Sequence, residues 1–497
     1  MSALEAWDGS RVDQGPKAVG AYFQTSGIYI FLIAFACVYY LSNASLLLGH
    51  YDLGWHLAAG DLIRERGSIP FQDPWAFTVG DKQWYNLSWL WDVIASVLFQ
   101  YTGFSGLTLF VVACGAVIVG YLTSACLSSG ASVLAVCISV FLAGLLYPTF
   151  ATPPNIYLAA SPNTATMLFC VIFFAECLKR TRRFLLPAMM MLWANLHGGF
   201  VLGFFIIGLF GGVALLRRDW KNVRIYGFTG AGCLAAIFVN PLGLHIYDGV
   251  TATLGNFVQA NITEWMSYSQ NITMPGSIPG IVYILVFVAL ELRFGSSSRV
   301  PLESRLLAWL FLILGLHQFR YMSFFFLFST IPVALHLDRL LPRKPKDAEM
   351  QKALLTAGII GVCVLPLIYM RVEPTLGLSD DLLSEQDARY LQENFSHTRV
   401  LNHWNVGGPL IFRTHGTVPI FVDGRAATAY PDSLLRDYFT LIKWDIDKTA
   451  WNAVLEKYKI GAVFWPTEHD VLRHFLVDER GWKEQYVGSH ESLYVKP

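Results

Sequence analysis

The sequence predicts a polytopic α-helical membrane protein with a C-terminal extracytoplasmic α/β domain. Three observations predict it. Of 497 residues, 54% are hydrophobic and only 14% charged, against roughly 25% charged in soluble domains. Apolar runs recur from residue 27 to residue 371, giving about eleven transmembrane helices at roughly 20 residues per span. Charged residues and turn signals return only after residue 372. The expected division is therefore 1–26 as a cytoplasmic N-terminal tail, 27–371 as the transmembrane part, and 372–497 as the outer domain.

Orientation follows from the basic residues. Lys179 to Arg183, Arg217 to Arg224, Arg293 to Arg305 and Arg339 to Lys352 each mark one connection. With the N-terminus inside and an odd number of spans, all four connections fall on the cytoplasmic face, as the excess of Lys and Arg in inner loops requires. The loop 49–92 and the turns 148–163, 195–200 and 317–321 then emerge outside. So do the connection 240–268 and the tail. Nearly every unusual polar residue gathers on that outer face.

The loop 49–92 carries Asp52, His56, Asp61, Asp73, Asp81 and Asp92 among Trp55, Trp75, Trp84, Trp89 and Trp91. Aromatic rings cover sugar faces, and a carboxylate takes a proton from a hydroxyl, so this composition suits sugar chemistry at a membrane surface. An interfacial tryptophan belt with solvated charges accounts for the same composition. Leu53–Arg66 reads as a helix, which Asp52 would also cap.

In the tail, Ser384–Phe395 reads as an amphipathic helix, Arg399–Leu401 as a strand and Gly407-Gly408 as a turn. Val418–Val422 reads as a buried strand leading into Asp423-Gly424-Arg425. Ser433–Lys443 and Lys448–Lys457 have helical spacing, Gly461–Trp465 reads as a strand, and the C-terminal segment pairs as a hairpin. Asp423 and Arg425 are expected to pair and organise the tail.

Composition also excludes classes. Net charge is zero, and no basic run tracks a nucleic-acid backbone, so no nucleic-acid partner is expected. The eight cysteines lie in apolar runs without a Cys-x-x-Cys pair, so zinc, redox and disulfide roles lack support. No nucleotide-binding Gly-rich loop stands in the tail.

The ordered motifs carry a family likeness. Asp52, Trp55-His56-Leu57, Gly60, Ile63, Gly67, Ile69-Pro70 and Asp73-Pro74 are followed by Trp84, Asn86 and Trp89-Leu90. Asn195, His197-Gly198-Gly199-Phe200, Asn240-Pro241, Glu264-Trp265 and Phe421-Val422-Asp423-Gly424-Arg425 come later. In this order they resemble the GT-C superfamily of glycosyltransferases, and within it a bacterial multi-spanning group. The chain departs from that group's pattern at Gly54 (often Trp), His245 (usually Arg) and Ser161-Pro162 (Arg-Pro expected).

The resemblance implies transfer of a sugar from a polyprenyl-phosphate donor to an acceptor hydroxyl on a lipid, glycan or protein. The expected setting is the extracytoplasmic face of a bacterial inner membrane. Asp52 is the expected general base. Asp73 is either a second catalytic carboxylate or an Asx-turn residue. Trp84, Trp89, His56, His197, Glu264 and Arg320 are the expected substrate contacts. Arg320 is the main phosphate candidate, because guanidinium binds phosphate oxygens bidentately; a membrane-end arginine also snorkels to lipid headgroups without catalytic cause. Glu264 is placed on an amphipathic helix of the 240–268 connection. Carboxylates of the site suit Mg²⁺ or Mn²⁺ without requiring either. A transporter of lipid-linked glycans and a non-catalytic scaffold of the same fold are the rival readings.

Overall fold

The computed structural model describes residues 15–49, 51–149, 158–253, 261–273, 277–295, 299–341, 347–378, 380, 383–443, 445–488 and 490–497. Most of the 148–163 turn, residues 254–260 of the 240–268 connection and residues 343–346 of the following linker lie outside them.

A helix forms on every apolar run. The first part of the chain contains α1 (Gly15–Ser42), α2 (Ala44–Leu48), α3 (Leu53–Arg66), α4 (Trp89–Ser128), α5 (Val133–Thr149), α6 (Asn163–Lys179) and α7 (Leu186–Leu196). After these come α8 (Val201–Leu216), α9 (Trp220–Ala236), α10 (Ile246–Thr253), α11 (Ser277–Phe294), α12 (Leu302–His317), α13 (Met322–Leu340) and α14 (Asp347–Val372). By length and composition, five helices among the described residues can cross a membrane: α4, α8 with its lead-in from Gly198, α11, α13 with its lead-in from Phe319, and α14. The chain is an integral membrane protein. The helix α1 begins within the segment expected as a cytoplasmic tail.

Burial ranks these helices. From Met322 to His336, α13 is buried throughout, so it is the axis of the bundle. Little of α14 is fully buried, and it runs along α1. Leu285, Leu292, Ile313 and Phe228 point outward, as lipid-facing side chains do. The 40 residues of α4 would extend about 60 Å at 1.5 Å per residue, twice a bilayer's apolar thickness. Gly103, at φ 62° and ψ −157°, breaks the helix and separates a lead-in from Trp89 from the membrane-length part.

The tail forms a four-stranded sheet from β1 (Val400–Asn402), β2 (Ala462–Pro466), β3 (Lys483–Val487) and β4 (Glu491–Val495), in the order β1-β2-β4-β3. The β1–β2 pair is parallel, with Leu401 opposite Val463, and the β2–β4 and β4–β3 pairs are antiparallel. A parallel pair needs a long crossover, here α16 (Trp404–Arg413), α17 (Asp432–Leu441) and α18 (Lys448–Lys457). Before β1 stands α15 (Glu385–Phe395), capped by Ser384, and between β2 and β3 lies α19 (Asp470–His474).

Two local expectations are corrected. Gly407-Gly408 is no turn but lies inside α16, where glycine permits close packing. A Cβ at Gly407 would stand 2.3 Å from the Val422 carbonyl oxygen, and one at Gly408 would stand 2.5 Å from that of Tyr51. Val418–Val422 is buried as expected but joins no strand of the sheet. It pairs instead with the first loop: Ile420 N donates to Trp75 O at 3.1 Å, and Phe77 N to Ile420 O at 3.2 Å.

That pairing reflects a larger fact. Trp55, Trp75, Val79 and Trp84 of the loop share one hydrophobic core with Val400, Leu410, Phe421, Tyr430 and Trp465 of the tail. Loop and tail therefore bury their apolar surface against each other rather than separately.

Candidate active site

At the seam between loop and tail, Asp52 precedes α3 in αR conformation, and its side chain makes no capping hydrogen bond. Its carboxylate lies over the Asp423-Gly424-Arg425 turn: a Cβ at Gly424 would stand 1.7 Å from Asp52 Oδ1. Glycine at 424 thus makes the room in which that carboxylate sits.

Beneath it, Arg425 is fully buried and forked between two carboxylates. Its Nη1 and Nη2 donate to Asp73 Oδ1 and Oδ2 at 2.8 and 3.0 Å, and its Nε donates to Asp423 at 2.9 Å. Trp75 and Trp84 lie 4.9 and 4.8 Å from the guanidinium. Burial opposes the charge on Arg425, but Asp423 and Asp73 outweigh it and hold the guanidinium protonated. Asp73 Oδ1 also accepts from Trp75 N at 2.9 Å, so the Asx-turn geometry is present and both oxygens are engaged. Trp84 is 1% exposed; its ring is covered by protein rather than open to a sugar.

One turn after Asp52, the buried His56 places Nδ1 2.6 Å from Asp92 Oδ1, while Asn86 Nδ2 donates to Asp92 Oδ2 at 2.7 Å. The Asp92 carboxylate thus fixes the orientation of the His56 ring.

The neighbouring turns are stitched to this loop. Trp89 Nε1 donates to Asn195 Oδ1 at 3.0 Å, and Asn195 Nδ2 to Val239 O at 2.9 Å. Leu87 fills the space a Cβ would need at Gly198 (2.9 Å) and Gly249 (2.8 Å). In the turn between α7 and α8, Gly199 N donates to His197 Nδ1 at 3.2 Å, and Thr166 Oγ1 lies 2.7 Å from the same nitrogen. Since Nδ1 accepts a backbone N–H, the proton of neutral His197 resides on Nε2. Burial, then the Arg320 charge, then His56 push the His197 pKa down to about 3. His56, His197 and Arg320 therefore belong to one electrostatic neighbourhood.

Arg320 stands in the Phe319–Tyr321 turn, anchored where Phe319 N donates to Met266 O at 2.8 Å. Its guanidinium lies 3.5 Å from Glu264 Oε1 and 3.9 Å from the Trp265 ring centroid, and both side chains are about one-fifth exposed. Glu264 sits in a short 3₁₀ turn, Thr263–Trp265, and not on an amphipathic helix; α10 ends at Thr253. His245, at an expected arginine position, stacks on Tyr85 at 5.1 Å and pairs with Asp248 at 2.8 Å.

The overall fold is similar to solved structures. Archaeal oligosaccharyltransferase AglB from Archaeoglobus fulgidus, in complex with an inhibitory peptide and a dolichol-phosphate, superposes with a TM-score of 0.61. The match covers 92% of this chain and 71% of that one at 12% identity. The likeness is one of overall fold, shared with that oligosaccharyltransferase. The apo form of the Archaeoglobus fulgidus oligosaccharyltransferase matches with a TM-score of 0.56 at 10% identity, covering 87% of this chain and 69% of that one. The form tethered to an acceptor peptide with an NVT sequon matches with a TM-score of 0.54 at 12% identity, covering 95% and 74%. No family model and no curated protein sequence matches the chain. Sequence reasoning missed Asp92 as the partner of His56. A carboxylate just inside a long apolar run was the available signal.

Among the described residues, no three His, Cys, Asp or Glu side chains gather into a metal-binding group.

Proposed function

We propose that the protein is a membrane glycosyltransferase that moves a sugar from a polyprenyl-phosphate-linked donor to an acceptor hydroxyl, at the outer face of the membrane. The oligosaccharyltransferase likeness supports this class, and dolichol-phosphate bound to AglB supports a lipid-phosphate donor. The reading rests above all on one observation: the Asp52 carboxylate lies over the Asp423-Gly424-Arg425 turn, where the first loop and the tail meet.

In this mechanism Asp52 takes the proton of the acceptor hydroxyl as its oxygen attacks the sugar's anomeric carbon. The bond from that carbon to the lipid phosphate breaks, and the phosphate leaves with the electron pair. Arg320 receives the phosphate through its guanidinium fork, exchanging the Glu264 carboxylate for it. His197, neutral at physiological pH, donates from Nε2 without adding charge, and His56 is anchored beside it through Nδ1 to Asp92. Asp73 acts by fixing Arg425, and through it the turn beneath Asp52. The tail lies over the site and helps hold the acceptor.

Asp52→Asn tests this directly. Purified protein is given a polyprenyl-phosphate hexose, and released polyprenyl phosphate is measured alongside donor binding. Transfer should fall by about 10²-fold or more with donor affinity kept, while Arg320→Gln should weaken donor affinity. Unchanged phosphate release in Asp52→Asn rules out the base.

A further inference from the structure

The helices that carry the candidate site also lead away from it. His197 precedes α8, Thr166 lies in the first turn of α6, and Arg320 follows α12. At 1.5 Å per residue, 16 or 17 residues bring each helix to a far end about 25 Å away. At those far ends lies a cavity of about 510 Å³ lined by Arg180, Arg217, Arg299, Arg305 and Glu303. Leu178, Phe210, Val300 and Leu302 supply its apolar wall.

Four guanidiniums and one carboxylate line this cavity, contributed by three separate basic connections of the chain. The carboxylates at hand do not use up the donors. Arg217 spends Nη1 on Glu303 at 3.0 Å, Arg180 spends Nη1 on Asp219 at 3.6 Å, and Arg305 faces Glu291 with Nε at 3.1 Å. Each guanidinium carries five N–H donors, so Arg180 and Arg217 keep donors beyond these single ion pairs. Glu303 is buried and fixes Arg217 at the rim. Convergent guanidinium forks above an apolar wall suit a phosphate ester whose remainder is hydrocarbon.

We infer that this cavity binds the phosphate headgroup of an anionic phospholipid, at the membrane face opposite the candidate active site. The phosphate sits among Arg180, Arg217 and Arg299, and its acyl chains run along Leu178, Phe210 and Leu302. Such a lipid adds to the Arg217–Glu303 and Arg180–Asp219 ion pairs that already join the three helix connections, without touching the transfer chemistry.

The test uses the full chain in nanodiscs and in detergent, with phosphatidylglycerol, phosphatidylcholine and inorganic phosphate as probes and native mass spectrometry as the readout. Wild-type protein should retain phosphatidylglycerol and release phosphatidylcholine. Arg180→Gln with Arg299→Gln, both exposed and therefore safe for folding, should bind phosphatidylglycerol about 30-fold more weakly, from the loss expected per arginine near a charged membrane. Arg180→Lys with Arg299→Lys should lie between. Excess inorganic phosphate that fails to displace the lipid identifies the headgroup as the occupant; displacement identifies a site for free phosphate with the same chemistry. Equal retention of the two lipids, or a Gln variant that retains phosphatidylglycerol like wild type, overturns the inference.

Discussion

Gly424→Ala offers a test of Asp52 that leaves its carboxylate in place but moves it. The added Cβ falls 1.7 Å from Asp52 Oδ1 and 2.7 Å from its Cγ. Carbon and oxygen settle near about 3.3 Å, so the carboxylate oxygen must retreat by about 1.6 Å. The obstructing atom ends a short side chain, and a rotation off its staggered position costs on the order of 1 kcal/mol. The fold should therefore survive. A displacement of about 1 Å at a reacting group costs on the order of 10²-fold in rate. Release of polyprenyl phosphate from a polyprenyl-phosphate hexose should drop by at least that factor, with donor affinity and melting temperature near wild type. Gly377→Ala, where a Cβ meets nothing within 4 Å, serves as the control. Transfer at the wild-type rate in Gly424→Ala would show that the position of Asp52 over the turn has no bearing on catalysis.

Two further outcomes concern stability. Arg425→Met strands the fully buried Asp73 and Asp423 carboxylates; breaking such a pair costs about 3–5 kcal/mol, to be read from urea unfolding followed by tail tryptophan fluorescence. A smaller loss after Arg425→Met than after Asp73→Asn would refute the clamp. In the tail, burial and then Asp387 push the Glu491 pKa up to about 8. The folded state therefore favours the protonated acid. Its penalty is absent below the unfolded pKa near 4.5, grows as pH rises, and is complete above pH 8, reaching at most about 5 kcal/mol. Glu491→Gln should flatten the fall in melting temperature between about pH 4.5 and pH 8; an equally steep fall in the variant would reject the assignment.

Local rules made part of this molecule readable from its residues. Leu53–Arg66 and Lys448–Lys457 begin and end where periodicity and end residues indicate, because a helix's boundaries are set within its own turn or two. Ser384 caps its helix for the same reason. Gly407-Gly408 misled because a close approach by Tyr51 and Val422, both distant in sequence, decides its role. Val418–Val422 has strand composition, yet its partner is Trp75 to Phe77, and no periodicity announces a partner that far away. The turns that carry the candidate site residues stood out individually, while their side-chain partnerships did not. His56 with Asp92, 36 residues apart, and Arg320 with Glu264, 56 apart, are products of tertiary folding. Burial of Trp84 against Arg425 likewise turned an apparent sugar platform into core.

The common core of loop and tail also sets a schedule for biosynthesis. Asp73 and Arg425 are 352 residues apart, so at about 5–20 residues per second the ribosome needs on the order of 20–70 s to deliver the arginine after the aspartate. During that interval the loop's tryptophans and carboxylates stand at the membrane surface without the surface that will cover them. A nascent chain truncated before residue 400 should accordingly expose its loop to protease, and completion of the C-terminus should close that window.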